Sequence, residues 1–153
     1  MARVLWIDDN AGKGTAERLA FDGLIYFVEK NDHDVTIAST TKQIELALQN
    51  IPQYDLLILD IIMEPLPSLD SKQQLGGIDV LESIAAAGGH IPILILTVMS
   101  GKQILNEANR RGLDLSLVGL KKIMRKGSVT PTELAEEVER YLGTRPASPR
   151  EAD

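Results

Sequence analysis

Arg3-Val4-Leu5-Trp6-Ile7-Asp8-Asp9 is a short, strongly apolar run that ends in two acids. The pattern returns twice: Leu56-Leu57-Ile58-Leu59 runs into Asp60, and Ile93-Leu94-Ile95-Leu96 runs into Thr97. Short, continuous aliphatic runs are how strands read when helices cover both faces of a parallel sheet. In such a sheet ligands gather in the crevice beyond the carboxyl ends of the strands, where side chains distant in sequence converge. Three carboxylates at one edge repel each other unless a cation lies among them. Mg²⁺ is a hard ion that keeps several waters and accepts one or two carboxylates together with phosphoryl oxygens. The three run ends therefore point to a magnesium-assisted phosphoryl site.

Outward from these runs, strand-like and helical segments alternate, the pattern of βαβ units. The reading places strands at 3–8, 34–38, 55–60, 91–97 and about 122–126. A long helix is expected within about 14–31, carrying Leu19, Ile25, Phe27 and Val28, and a second at about 41–50. Residues 61–76, with Pro65, Pro67 and Gly76, read as a long loop. Ile78, Val80, Leu81 and Ile84 mark a third helix that stops at Gly88-Gly89, and a fourth covers about 101–111 before Gly112. The stretch 113–126 resists parsing, because Leu113-Asp114-Leu115-Ser116-Leu117 alternates like a strand while Ile123-Met124 forms a second apolar pair. The last helix starts near Thr130-Pro131, with Thr130 as N-cap, Glu133 completing a capping box, and Leu134, Val138, Tyr141 and Leu142 inward. The fold expected is α/β: a flavodoxin-like, doubly wound, five-stranded parallel sheet, (βα)5. It forms one domain over residues 1–143, and residues 144–153 read as a flexible tail.

At 153 residues the chain is long enough to bury roughly 70% of its unfolded surface. The absence of cysteine removes disulfides, thiolate catalysis and zinc-thiolate sites. Two histidines, His33 and His90, make a multi-histidine metal site improbable, and a net charge of −6 argues against nucleic acid as partner despite Lys121, Lys122, Arg125 and Lys126. No apolar run approaches the length of a membrane span and no signal core is present, so a cytoplasmic protein with no membrane partner is expected.

Each candidate residue has a plainer role. Asp8 and Asp9 can cap the following helix, Asp60 can close a turn on its own backbone, and Thr97 and Lys126 alone carry little information. Their joint order is what counts: acidic pair, single Asp, hydroxyl and lysine at successive strand ends. Ala11-Gly12-Lys13-Gly14-Thr15 is not a phosphate-binding loop, since Ile7 and Gly14 stand where that motif needs a glycine and a hydroxyl. A magnesium phosphohydrolase fits poorly, because it needs a second catalytic acid to protonate the leaving group and Asp8 and Asp9 are adjacent rather than alternating.

With these residues in place, positions 3–142 resemble the response-regulator receiver domain. Arg3 to Asp9 is similar to that family's first strand and acidic pair, and Tyr54 to Met63 to the strand that presents its phosphoacceptor. Ile93 to Thr97 is similar to the strand bearing its switch hydroxyl, and Gly119 to Gly127 to the segment bearing its lysine. The resemblance implies that Asp60 accepts a phosphoryl group from a histidine kinase or phosphotransfer protein. It implies Mg²⁺ held by Asp8, Asp9, Asp60 and the backbone carbonyl of Ile62, with Thr97 and Lys126 bonding the phosphoryl oxygens. The chain would then be a switch in two-component signalling, not an enzyme beyond its own phosphorylation and dephosphorylation, acting on a separate downstream protein. The alternative is a receiver fold that serves as a binding module without phosphorylation. Four departures stand out: a lengthened loop after Asp60, Gly127 in place of a proline, Ile123 in place of an aromatic, and extra residues between Thr97 and Gly119. Output is accordingly expected through 61–76 and 98–118.

Overall fold

The computed structural model describes residues 2–8, 22, 26, 29–30, 33–61, 76–126 and 128–143. Its strands are β1 (Arg3–Ile7), β2 (Asp34–Ala38), β3 (Leu56–Leu59), β4 (Ile93–Thr97) and β5 (Leu120–Arg125). The helices are α1 (Thr41–Leu48), α2 (Gly76–Ala86), α3 (Gly101–Arg110), α4 (Leu115–Val118) and α5 (Pro131–Gly143), with a 3₁₀ turn at Ile51–Gln53. In the first crossover, Asp22, Tyr26, Glu29 and Lys30 are helical, in keeping with a helix there; Leu19, Ile25, Phe27 and Val28 lie outside the described residues.

The five strands form one parallel sheet in the order β2-β1-β3-β4-β5, the flavodoxin-like arrangement expected. Strand pleating sends alternate residues to opposite faces, and the core divides accordingly. Leu5, Ile7, Leu57, Leu59, Ile93 and Ile95 pack on one face beneath α1 to α4. Val4, Trp6, Leu56, Ile58, Leu94 and Leu96 pack on the other with Met124 and with Leu134 and Val138 of α5. Every residue of β3 is fully buried, and burial of each such side chain stabilises the fold by about 1.5–3 kcal/mol. The order of strands reverses direction at β1, so the crevice lies beyond the carboxyl ends of β1 and β3.

Around 113–126 the fold corrects the sequence reading. Leu115–Val118, in the stretch the sequence left unparsed, is a helical turn, because the Asp114 side chain accepts a hydrogen bond from the Ser116 amide at 3.0 Å and caps it. It ends at Gly119, whose φ of 111° is closed to ordinary side chains, and whose missing Cβ would fall 2.0 Å from the Ile91 carbonyl oxygen. β5 therefore starts at Leu120, two residues before the predicted 122, and ends at Arg125, leaving Lys126 just beyond the strand rather than within it.

α3 is tied to α2 by charge. Arg111, at its carboxyl end, bonds Asp79 at 2.9 Å, Glu82 at 2.6 Å and Glu107 at 2.8 Å, and Asp79 is buried. Glu107 also pairs with Arg110. The Arg110 hydrogen bond, followed by that of Arg111, lowers the Glu107 carboxyl from 4.5 to about 2. At the other end Ser100 and Gln103 form a reciprocal capping box. The helix that follows Thr97 is thus fixed at both ends. At the start of α5, Thr130 caps as expected, its hydroxyl accepting from the Glu133 amide at 3.1 Å. No described helix is long and apolar enough to cross a membrane.

Candidate functional site

β1 and β3 pair in register, Ile7 opposite Leu59. The next residue on each strand is an acid, so Asp8 and Asp60 emerge side by side at the crevice. Their backbones remain in the ladder: Asp8 N–H donates to Ala38 O at 3.2 Å and Asp60 N–H to Ile7 O at 3.0 Å. The carboxylates are therefore placed by strands rather than by a loop. Asp8 is 0% and Asp60 3% exposed.

Two buried carboxylates side by side demand a counter-charge, since like charges in a shared site disfavour ionisation of both. Lys126 supplies it. Its Nζ lies 2.9 Å from Asp8 Oδ2 and 2.9 Å from Asp60 Oδ2, with the side chain only 14% exposed. Burial, the largest influence, pulls the ammonium pKa down, but Asp8 and then Asp60 outweigh it and the net direction is upward. The lysine arrives here because its backbone N–H donates to Thr97 O at 3.0 Å, extending the β4–β5 pairing one residue past the strand.

Thr97 ends β4 with its side chain fully buried. Its Oγ1 accepts from the Met99 amide at 3.4 Å, a local turn that fixes the hydroxyl and leaves its proton to donate. The structure thus brings Asp8, Asp60 and Lys126 into direct contact and sets Thr97 at the end of the neighbouring strand. Asp9, Ile62 and Gly127 lie outside the described residues.

As a donor set, buried carboxylate oxygens converging on one cationic centre suit a hard divalent ion. Among the described residues no three acids or histidines cluster as metal ligands; Asp8 and Asp60 contribute two.

Two residues were not read from sequence as part of this site. Gly77 is the first. Its N–H donates to Ile61 O at 3.0 Å, and a Cβ there would fall 2.2 Å from the Asp60 carbonyl oxygen and 2.4 Å from Ile61 Cα. Only glycine lets α2 seat against the backbone carrying Asp60. The Gly76-Gly77 pair opening an apolar helix was the available signal. Arg125 is the second; its guanidinium donates to Val98 O at 3.2 Å, and within the basic cluster at 121–126 nothing in the sequence sets it apart.

By sequence the chain matches no protein-family model and no curated protein. By structure it is similar to a response regulator receiver domain protein (CheY-like) from Methanospirillum hungatei, at 19% identity, TM-score 0.61, over 94% of both chains. It is also similar to the Francisella response regulator 1452 receiver domain, at 24% identity and TM-score 0.61, over 94% of this chain and 98% of that one. A third is the BeF3-activated DrrB receiver domain, at 17% identity and TM-score 0.59, over 94% and 98%. The fold is that of receiver domains.

Proposed function

We propose that this receiver-fold chain is a phosphorylatable signalling switch, in which Asp60 takes a phosphoryl group from a histidine kinase or phosphotransfer protein. The observation that carries the reading is the buried Asp8–Lys126–Asp60 contact at the crevice of the sheet.

In the proposed step an Asp60 carboxylate oxygen forms a bond to phosphorus while the bond to the donor's leaving group breaks, and the leaving group departs with its electron pair. Charge repulsion between carboxylate and phosphoryl oxygens is the main obstacle, and positioning with charge offset is how proteins lower it. Mg²⁺, held by Asp8, Asp9, Asp60 and the Ile62 carbonyl, would supply part of that offset. Lys126, already in contact with Asp60, holds a compact positive charge where the phosphoryl oxygens arrive. The Thr97 hydroxyl donates a hydrogen bond to one of them, which shifts the loop after β4 and signals the change. The β1 and β3 ladders hold the two carboxylates, and α2 closes against Asp60 through Gly77. The chain catalyses at most its own phosphorylation and dephosphorylation, and its output runs through a separate downstream protein.

The test is intact mass after incubation with acetyl phosphate and Mg²⁺. The wild type gains ~80 Da, the mass of one phosphoryl group, and Asp60→Asn does not. No gain in the wild type would favour a binding module that does not use the acids. Release of inorganic phosphate with no adduct from a range of phosphomonoesters would favour a phosphohydrolase.

A further inference from the structure

The loop after β4 is held in an unusual way. Val98 is 56% exposed, so packing does not orient it. Instead, the Arg125 guanidinium donates to its carbonyl oxygen at 3.2 Å. Arg125 pairs in register with Thr97, which puts its side chain one residue from the carbonyl it grips. The next residue, Lys126, bonds the Thr97 carbonyl through its N–H and the Asp8 and Asp60 carboxylates through its ammonium.

The Val98 carbonyl and the Met99 N–H belong to one peptide unit, and that unit is planar and trans, so the two groups point in opposite directions. Fixing the carbonyl fixes the N–H. That N–H is the group donating to Thr97 Oγ1. The side chain of threonine is stiff at χ1, so once Oγ1 is held the hydroxyl proton sweeps a narrow set of directions. Arg125 pulls on one edge of the plane, and the buried Thr97 hydroxyl is gripped by the other.

We propose that Arg125 is a positioning residue for phosphoryl transfer to Asp60: through the 98–99 peptide plane it sets the direction of the Thr97 hydroxyl beside the Asp60–Lys126 pair. The inference rests on Asp60 being the acceptor. The Arg125 guanidinium bonds the Val98 carbonyl, so its action runs through Val98 and Met99. An exposed arginine of this kind otherwise contributes little to stability.

The experiment follows phosphorylation of the full chain by acetyl phosphate with Mg²⁺, as a function of donor concentration, in Arg125→Ala, Arg125→Gln and Arg125→Lys, with amide exchange read at Met99. Arg125→Ala should lower the maximal rate about 3- to 10-fold, the scale of one lost hydrogen bond, at unchanged half-saturating donor. Its Met99 amide should exchange faster by a comparable factor before any phosphorylation. Gln and Lys each retain a donor and should both recover part of the rate. Recovery by Lys but not Gln would show that charge alone matters and would overturn the proposal, as would an unchanged rate in Arg125→Ala. A wild type that takes no phosphoryl group overturns it together with the reading it rests on, whereas an active wild type with an indifferent Arg125→Ala overturns it alone.

Discussion

Replacing Lys126 by Met tests the charge arrangement at the crevice without emptying the space the side chain fills. Methionine has a similar length and no charge, so the loss is mainly electrostatic. At 2.9 Å from each of two carboxylates, the ammonium gains about 6 kcal/mol per pair by Coulomb's law at an effective dielectric of about 20. Its own desolvation offsets much of that. Removing one partner from a buried ionic cluster typically costs about 3–5 kcal/mol, because the remaining charges are left uncompensated. With Asp8 and Asp60 almost wholly buried, that range applies. In a chain of this size each kcal/mol moves the melting temperature by about 2–4 °C, so the variant should melt roughly 6–20 °C lower, read by thermal and urea unfolding near neutral pH. Mg²⁺ should stabilise the variant more than the wild type, since a cation no longer competes with the ammonium. Adding Asp8→Asn to the variant should recover part of the loss, because it relieves the carboxylate pair. The wild-type contribution has a defined pH range: a pKa raised in the folded state gives stability fully present below the unfolded lysine value of about 10.4 and lost as pH rises through the folded one. A Lys126→Met protein as stable as the wild type in the absence of cations, with the same response to Mg²⁺, would refute the argument.

Gly77→Ala should destabilise the fold by more than about 1–3 kcal/mol, since the new methyl meets backbone of Asp60 and Ile61 and neither can move aside cheaply. Gly101→Ala is the matched control. Its Cβ would sit 3.7 Å from Ile123 Cδ1, an ordinary contact, so it should raise stability by up to about 1 kcal/mol; urea midpoints of opposite sign for the two variants are the expected outcome. Glu107→Gln should flatten the acid limb of the stability curve. The depressed carboxyl contributes stability fully present above its unfolded value of 4.5 and lost as pH falls through about 2, so the variant should be weaker at neutral pH and should draw level with the wild type only once the pH has fallen below the folded value.

The central strands were legible because they are buried on both faces. A strand in that position must be apolar at every residue, and Leu56 to Leu59 is so throughout. β5 was misplaced for the converse reason. At the sheet's edge it buries only Met124 fully, while Lys121, Lys122 and Arg125 face water, so no apolar run marks its ends. The strand-like alternation at Leu113 to Leu117 left that segment unparsed, and one capping aspartate and a glycine with positive φ made Leu115–Val118 a helical turn. In a segment so short, local capping outweighs a periodicity that spans only five residues.

The order of chemical groups along the chain belongs to the sequence: acids after the first and third strands, a hydroxyl after the fourth and a lysine after the fifth. A parallel α/β sheet turns such an order into a neighbourhood, because all its strands end at the same edge. Which of these groups touch was decided only by tertiary structure. The Asp8–Lys126–Asp60 contact depends on the register of β1 with β3 and of β4 with β5, and register is a property of paired strands that no single segment encodes. The roles of Gly77 and Arg125 come from the same source. One is a side chain that must be absent where α2 meets the Asp60 backbone, the other a side chain reaching across strands to a carbonyl, and both exist only between elements that packing has already brought together.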